Sequence, residues 1–282
     1  MIKINDARFS YDESRGDAIA DLTLHVAEGD FLGVIGSSGA GKSTLTRMIN
    51  GLVPHHYGGT FRGEVTVDGM PTRSFCPEEL ARSVGSVFQD IEGQLLASVV
   101  EDEILFGLEN FGVRRDEIEG RMQYALAATG ISDLRGRTIS TLSGGQKQKV
   151  VIAAITALKP KIMVLDEPTG ELDPQSSRRV FETLRELNAK QGVTIVIVEQ
   201  KIMLLCEFAS RLAVMDRGRM TLEGPVKDVL KSAERLEEAG VNIPRVTTLA
   251  RRLRECRLYD GEAPVNIPDA SEMMRTALHA SL

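Results

Sequence analysis

Three stretches of this chain hold residue types at spacings that suit chemistry on phosphate groups. The first is "GSSGAGKST", residues 36–44, which fits G-x-x-x-x-G-K-[ST] through Gly36, Gly41, Lys42 and Ser43. Such a loop needs glycines because its backbone amides must approach phosphate oxygens closely, in conformations that a side chain obstructs. Gly36, Ser37, Ser38, Gly39, Ala40, Gly41 and Thr44 would frame a nucleotide. Lys42 would reach the β- and γ-phosphates, Ser43 would offer its hydroxyl to Mg²⁺, and the following helix would add its dipole. The second stretch is "LSGGQKQ", residues 142–148, where Ser143, Gly144 and Gly145 precede a helical run. It looks like another anion cradle, and the chain would then have two. The third is "IMVLDE", an apolar strand ending in Asp166 and Glu167. Beside a phosphate loop, a strand-end Asp can hold Mg²⁺ from outside its immediate ligands, and an adjacent Glu can polarise an attacking water. Standing alone, two carboxylates there could equally be a solvated strand end.

These groups must be positioned by an α/β scaffold. "FLGVIG" (31–36) is an apolar strand running into the glycine-rich loop, and "STLTRMING" after it reads as a helix stopped by Gly51. "GEVTVDGM" alternates and turns at Asp68-Gly69, a hairpin signal. From about residue 90 to 135 the texture is helical, with Glu101, Asp102 and Glu103 clustered either as solvated helix charges or as a site for a basic partner. "KIMVLDEP" and "VTIVIVEQ" are continuous apolar runs of strand length, as expected for a parallel sheet buried on both faces. A further strand, turn and strand fill residues 211–224. Beyond Pro225 the pattern becomes amphipathic helices with a proline-rich connection, so a boundary is placed near residue 224.

Composition narrows the function. The 282 residues are 42% hydrophobic and 26% charged, enough for a sizeable core. A net charge of −6 leaves no broad basic face for nucleic acid. No apolar stretch approaches the roughly 20 residues that span a bilayer, so a membrane role would come through a partner. Three distant cysteines (Cys76, Cys206 and Cys256) are expected to be reduced thiols.

The phosphate loop, Gln89 in "VFQD", "LSGGQ" and "VLDEPTGELD", in this order, resemble the nucleotide-binding subunit of ATP-binding-cassette (ABC) transporters over residues 1–224. That resemblance implies a P-loop NTPase fold: a mixed sheet core with an antiparallel β subdomain, a helical subdomain near 90–142, and a small, mainly helical C-terminal domain over 225–282. It also explains two cradles in one chain. In the family two subunits dock head to tail, and the LSGGQ of one closes over ATP held by the other. Tyr11 matches the aromatic that stacks on adenine. Gln89 matches the glutamine that contacts Mg²⁺ and the attacking water. Ser143, Gly144, Gly145 and Gln146 match the motif that meets the γ-phosphate in trans, and Asp173 matches the loop residue that faces the opposite subunit. Where cassette ATPases usually carry a γ-phosphate-sensing histidine, this chain has Gln200, whose amide can donate and accept hydrogen bonds yet cannot titrate near neutrality.

Two further segments narrow the resemblance. Gln89, Gln94, Leu95, Phe106, Gly107, Glu109 and Asn110 fit the pattern of energy-coupling-factor transporter ATPases, although Ile91 and Glu92 depart from its Pro-Asp. "LEEAGVNIPRVTTLARRL" (236–253) is similar to that family's C-terminal dimerisation region, with Val246, Leu249 and Leu253 at helical spacing. The resemblance implies an ATP- and Mg²⁺-dependent motor on the cytoplasmic face of the cell membrane. Its expected partners are a second ATPase subunit, a membrane coupling protein and a substrate-binding membrane protein for a vitamin or transition-metal ion. A non-hydrolysing partner subunit, motivated by Gln200, is the alternative. A cassette ATPase acting on nucleic acid is disfavoured, because the span from Gln89 to Ser143 is too short for the coiled coil such proteins tend to carry.

Overall fold

The computed structural model describes residues 1–280. Ten strands run β1 (Ile2–Ser10), β2 (Ile19–Val26), β3 (Phe31–Gly36), β4 (Thr60–Val67), β5 (Met70–Pro71), β6 (Val84–Val87), β7 (Ile162–Asp166), β8 (Thr194–Val198), β9 (Arg211–Asp216) and β10 (Arg219–Pro225). The helices are α1 (Lys42–Ile49), α2 (Leu52–His55), α3 (Pro77–Leu80), α4 (Val100–Asn110), α5 (Arg115–Thr129) and α6 (Gly144–Ala157). They continue with α7 (Pro174–Gln191), α8 (Ile202–Phe208), α9 (Val226–Lys231), α10 (Ala233–Glu238), α11 (Arg245–Glu255) and α12 (Ile267–Ala280).

Two sheets divide the strands. One is antiparallel, ordered β2-β1-β4-β5, and its β4–β5 hairpin turns at Asp68-Gly69 with both residues at positive φ. That backbone suits the right-handed twist of a tight hairpin. The other is six-stranded, ordered β10-β9-β3-β8-β7-β6; β6, β7, β8, β3 and β9 are mutually parallel, and β10 returns antiparallel at the edge. The all-apolar strands sit where a sheet is covered twice. β7 and β8 are buried at every position.

Each face of the parallel sheet has its own core. Leu32, Val34, Val164 and Val196 pack toward α1 and the antiparallel sheet, while Phe31, Leu165, Ile195 and Ile197 pack toward α6, α7 and α8. A third cluster joins α4, α5 and α6. Helix α6 belongs to two of these cores. Val151, Ile152 and Ile155 enter the sheet core, and Val150, Ala153 and Ala157 enter the helical cluster. The apolar second half of α6 is thus packed on both sides.

Two sequence expectations meet a more specific arrangement. Beyond residue 224, Val226, Val229, Leu230, Leu236, Ala239 and Val241 bury in the sheet core itself. The change of texture there marks new elements, and the first two helices after it close an existing core. Of the clustered acids on α4, Glu103 is not available to a partner. It is 7% exposed, and its carboxylate accepts the backbone N–H groups of Leu96 and Ala97 at 2.8 and 2.7 Å. Glu101 is engaged by Arg135 at 2.8 Å, whereas Asp102 is exposed. The two bonded acids therefore fasten the helical subdomain to itself. Among the described residues no helix is long and apolar enough to cross a membrane.

Candidate active site

Open parallel sheets collect ligands at the carboxyl ends of their strands. Here Val34 pairs with Val198, and Val198 pairs with Asp166, so β3, β8 and β7 end side by side. Val87 of β6 lies opposite Leu165, which brings Gln89 to the same edge. Four separate sequence motifs therefore converge through register alone.

The loop after β3 is shaped by crowding. A Cβ at Gly36 would stand 2.1 Å from the Met215 carbonyl oxygen, and one at Gly41 would stand 2.5 Å from that of Ala18. Gly41 is also left-handed, with φ 98°, where it caps α1 without any side-chain bond. The first amides of α1 are thus left for a ligand rather than for a cap. Lys42 is 7% exposed and its ammonium donates to the carbonyls of Gly36 and Ser37 at 2.9 and 2.8 Å. Burial lowers its pKa, against the opposing pull of Glu167 and Asp166. Ala40 is buried, while Ser38 and Gly39 are exposed on the loop's outer side. Tyr11 lies beside this helix, its hydroxyl 3.2 Å from the Thr44 hydroxyl and 3.1 Å from an Arg47 nitrogen.

Asp166 closes β7 and is 8% exposed. One carboxylate oxygen accepts the Thr46 hydroxyl at 3.4 Å; the other is buried with no partner. Burial raises its pKa first, and the neighbouring Glu167 raises it further, against the nearby Ser43 and Thr46 hydroxyls. A buried, orphaned carboxylate oxygen is costly by itself. Beside the Ser43 hydroxyl it suits a hard cation, so the residues present fit Mg²⁺. Among the described residues no cluster of three or more His, Cys, Asp or Glu side chains could cage a metal. Glu167 follows in left-handed backbone, φ 48°, its N–H bonded to the Val198 carbonyl at 2.9 Å. That turn brings its carboxylate to the Gln200 amide, which donates to it at 2.8 Å. A cleft of about 930 Å³ is lined by Ser43, Gln89, Asp166, Glu167 and Gln200, and by Gly144 from the second cradle.

That second cradle is a capping box. The Ser143 hydroxyl accepts the N–H of Gln146 at 3.4 Å, and the Gln146 side chain accepts the N–H of Ser143 at 3.0 Å. Ser-x-x-Gln is the sequence signature of this arrangement, legible in "LSGGQ". Behind it lies the loop that leads from β7 to α7. A Cβ on Gly144 would meet Leu172 at 3.6 Å, and one on Gly145 would meet Ser176 at 3.0 Å. Asp173 caps α7 by accepting the N–H groups of Gln175 and Ser176, and the Ser176 hydroxyl first and these N–H groups after it hold its pKa low. Sequence reasoning missed Thr46 and the two residues flanking Gln200. Glu199 and Lys201 grip the loop after Glu167, and their only signal was three polar residues directly after a buried strand.

Residues 19–170 match the family described as "ABC transporter". A provisionally named ABC transporter ATP-binding protein of Pyrococcus horikoshii is 40% identical over 92% of both chains. The energy-coupling factor transporter ATP-binding protein of Caldanaerobacter subterraneus is 37% identical over 90% of this chain and 91% of its own. Among solved structures, CbiO1 of Clostridium perfringens, described as part of the ABC transporter complex CbiONQ, aligns with TM-score 0.76 at 30% identity. It covers 89% of this chain and 98% of its own length. A dimeric ATP-binding cassette bound to ADP and phosphate aligns with TM-score 0.68 at 27% identity, over 80% of this chain and 99% of its own. With the phosphate loop and the strand-end carboxylates on one sheet edge and a capped LSGGQ helix beyond them, this chain belongs to the ABC transporter ATP-binding proteins, in their energy-coupling factor branch.

Proposed function

We propose that this chain hydrolyses Mg-ATP as the motor of an energy-coupling factor importer for a vitamin or transition-metal ion. It works on the cytoplasmic face of the membrane as a head-to-tail pair with a second copy or a paralogue. A membrane coupling protein and a substrate-binding membrane protein complete the assembly. CbiO1, a structural relative, is described as part of the ABC transporter complex CbiONQ. Two exposed apolar surfaces support the partners. On α11, Leu249 is 39% exposed and shares a face with Val246 and Leu253, which suits contact with the second ATPase. Phe88, Leu96 and Phe106 are exposed near the start of the helical subdomain, which suits helices of the coupling protein.

The observation that carries the reading is the bond from Gln200 to Glu167 beside Asp166. Glu167 lines the cleft, is partly exposed and is oriented by the Gln200 amide. It accepts a proton as water adds to the γ-phosphorus and the bond to the bridging oxygen breaks, releasing ADP and phosphate. Gln200 fixes the carboxylate's direction, Gln89 lies across the cleft to orient water, and Lys42 and the α1 amides hold the phosphates. Ser43, with Asp166 behind it, would hold Mg²⁺, which supplies neutralisation of phosphate charge when bound. The partner's Ser143, Gly144, Gly145 and Gln146 close the site over the γ-phosphate, Asp173 faces the opposite subunit and Tyr11 supports the base.

Glu167→Gln tests this. It should retain nucleotide binding, lose turnover by about a hundredfold or more, as expected for removal of a general base, and accumulate a dimer in ATP by light scattering. Unchanged phosphate release in that variant overturns the assignment. The second reading, a non-hydrolysing partner, is favoured if the wild type releases no phosphate from Mg-ATP alone or with its membrane partners.

A further inference from the structure

Lys201 lies at the edge of the nucleotide cleft, where a lysine invites assignment to phosphate. Its hydrogen bonds say otherwise. The ammonium donates to the carbonyl of Thr169 at 2.5 Å, to the carbonyl of Leu172 at 2.8 Å and to the hydroxyl of Ser177 at 2.7 Å. An ammonium has three N–H groups, and all three are spent inside the chain. The acceptors are consecutive parts of one feature, the loop from Glu167 to the first turn of α7. Ser177, fully buried, donates in turn to the Asp173 carbonyl at 2.9 Å.

Glu199 grips the same loop from the other side of Gln200. It is 2% exposed and accepts the Thr169 hydroxyl at 2.5 Å, together with the backbone N–H groups of Gln200 and Lys201 at 2.8 and 3.3 Å. Gln200, which holds Glu167, is therefore bracketed by two residues that hold the loop following Glu167. The loop's far side is the seat of the second cradle, through Leu172 against Gly144 and Ser176 against Gly145. One unit of packed contacts thus runs from the Gln200–Glu167 pair, through the loop, to the glycines of LSGGQ.

We infer that Lys201 is a positioning residue: it locks the Thr169–Asp173 loop so that Glu167 on one side and the LSGGQ helix on the other keep a fixed relation. This rests on the proposed ATPase pair, because only there do the two ends of the unit serve two different nucleotides. A shift at Gln200 in one site would then reach the cradle that serves the other site. Displacements of an ångström in positioning groups cost as much as a hundredfold in rate.

The test is Lys201→Met in the full-length protein, with Lys201→Arg beside it. Hydrogen exchange in the absence of nucleotide should rise at amides 169–177 in the Met variant and stay near wild type in the Arg variant, which can still donate to carbonyls. Nucleotide Kd should stay within about twofold, since the phosphate loop is untouched. The kcat should fall about tenfold, with loss of cooperativity in ATP, and Arg should recover most of both. Unchanged exchange across 169–177 overturns the clamp. Raised exchange with wild-type kcat and cooperativity overturns its role in positioning. If the wild type itself does not hydrolyse ATP, the ATPase reading fails, while the exchange data still decide the clamp. Should the Met variant fail to fold, Ser177→Ala removes one acceptor of the same ammonium and is read by the same two measurements.

Discussion

At the N-terminus of α1 the capping residue is Gly41, left-handed and without a side chain to offer, so the first amides are held for a ligand. At the N-terminus of α6 the cap is Ser143, whose hydroxyl and backbone N–H are both engaged with Gln146. The first cradle comes with its own lysine, its own hydroxyls and two carboxylates from the end of β7. The second has only a serine, two glycines and a glutamine, and it stands on a helix wedged between two cores. Their glycines differ in the same sense. Gly41 has no room for a side chain because of this chain's own backbone, whereas Gly144 would meet only the tip of Leu172 at 3.6 Å. One cradle is finished within the fold. The other keeps its front open, and something outside must supply the reason for its glycine.

That contrast can be broken most forcefully with one methyl group placed in each cradle. Gly41→Ala must carry a left-handed alanine, which costs about 1–2 kcal/mol. It also drives a Cβ toward the Ala18 carbonyl oxygen at 2.5 Å, and relief of such overpacking costs about 1–3 kcal/mol more. The expected outcome is a fall in Tm of about ten degrees, since a domain of this size moves about 2–4 °C per kcal/mol. Nucleotide affinity should drop about a hundredfold by titration, because the amides of α1 are displaced. A variant with normal Tm and normal affinity would mean that the loop's shape is not what requires glycine.

Gly144→Ala is the matched and smaller case. Alanine is favoured over glycine in a helix, so Tm should hold or rise slightly, and nucleotide Kd should not change. Only turnover should suffer, by about tenfold, because the added methyl meets the phosphate of the opposing subunit. Mixed dimers of this variant with Glu167→Gln sharpen the point: if LSGGQ serves the opposing site, placing both changes in one subunit spoils both sites once, whereas splitting them between subunits spoils one site twice and leaves the other complete. Full turnover by Gly144→Ala homodimers would remove the second cradle from catalysis.

The chemistry of the first cradle was readable in the sequence because it is local. Gly36, Gly41, Lys42 and Ser43 lie within one loop, and β3 before it and α1 after it are strongly patterned. The apolar runs of β7 and β8 likewise announced a doubly covered sheet. What a linear reading lacks is any account of which polar groups meet across elements. Glu103 looked like one of three surface acids, yet a turn brings Leu96 and Ala97 over it and makes it an internal cap. Lys201 looked like an ordinary charge after a strand, and its three acceptors lie 24 or more positions away. The tail read as an appendage because its texture changes at Pro225, but amphipathicity cannot say against which surface a helix buries. Here α9 and α10 bury against the chain's own sheet core, while α11 leaves Leu249 outside.

The smallest expected effect concerns the carboxylate behind the first cradle. Asp166 is buried, one of its oxygens has no partner, and burial raises its pKa above its ordinary value. A group whose folded pKa is raised binds its proton more tightly in the native state, so ionising it costs stability. That cost is absent below the unfolded-state value, near 3.9 for aspartate. It grows as pH rises through the raised folded value and is complete above it. Asp166→Asn should therefore raise the Tm of nucleotide-free protein at neutral pH, by about 2–4 °C for a gain of about 1 kcal/mol, and the gain should shrink as pH is lowered toward the carboxylate range. Ser143, a polar residue of equal importance in the second cradle, is exposed and has no such cost to relieve. The same Asn variant should lose most of the extra Tm that Mg-ATP confers on the wild type, because the charge placed to meet the cation is gone. Calorimetry at several pH values, with and without Mg-ATP, reads both effects. A lower Tm for Asp166→Asn at neutral pH would show that the aspartate is already stabilised within the chain, and that the first cradle is not strained in wait for a metal.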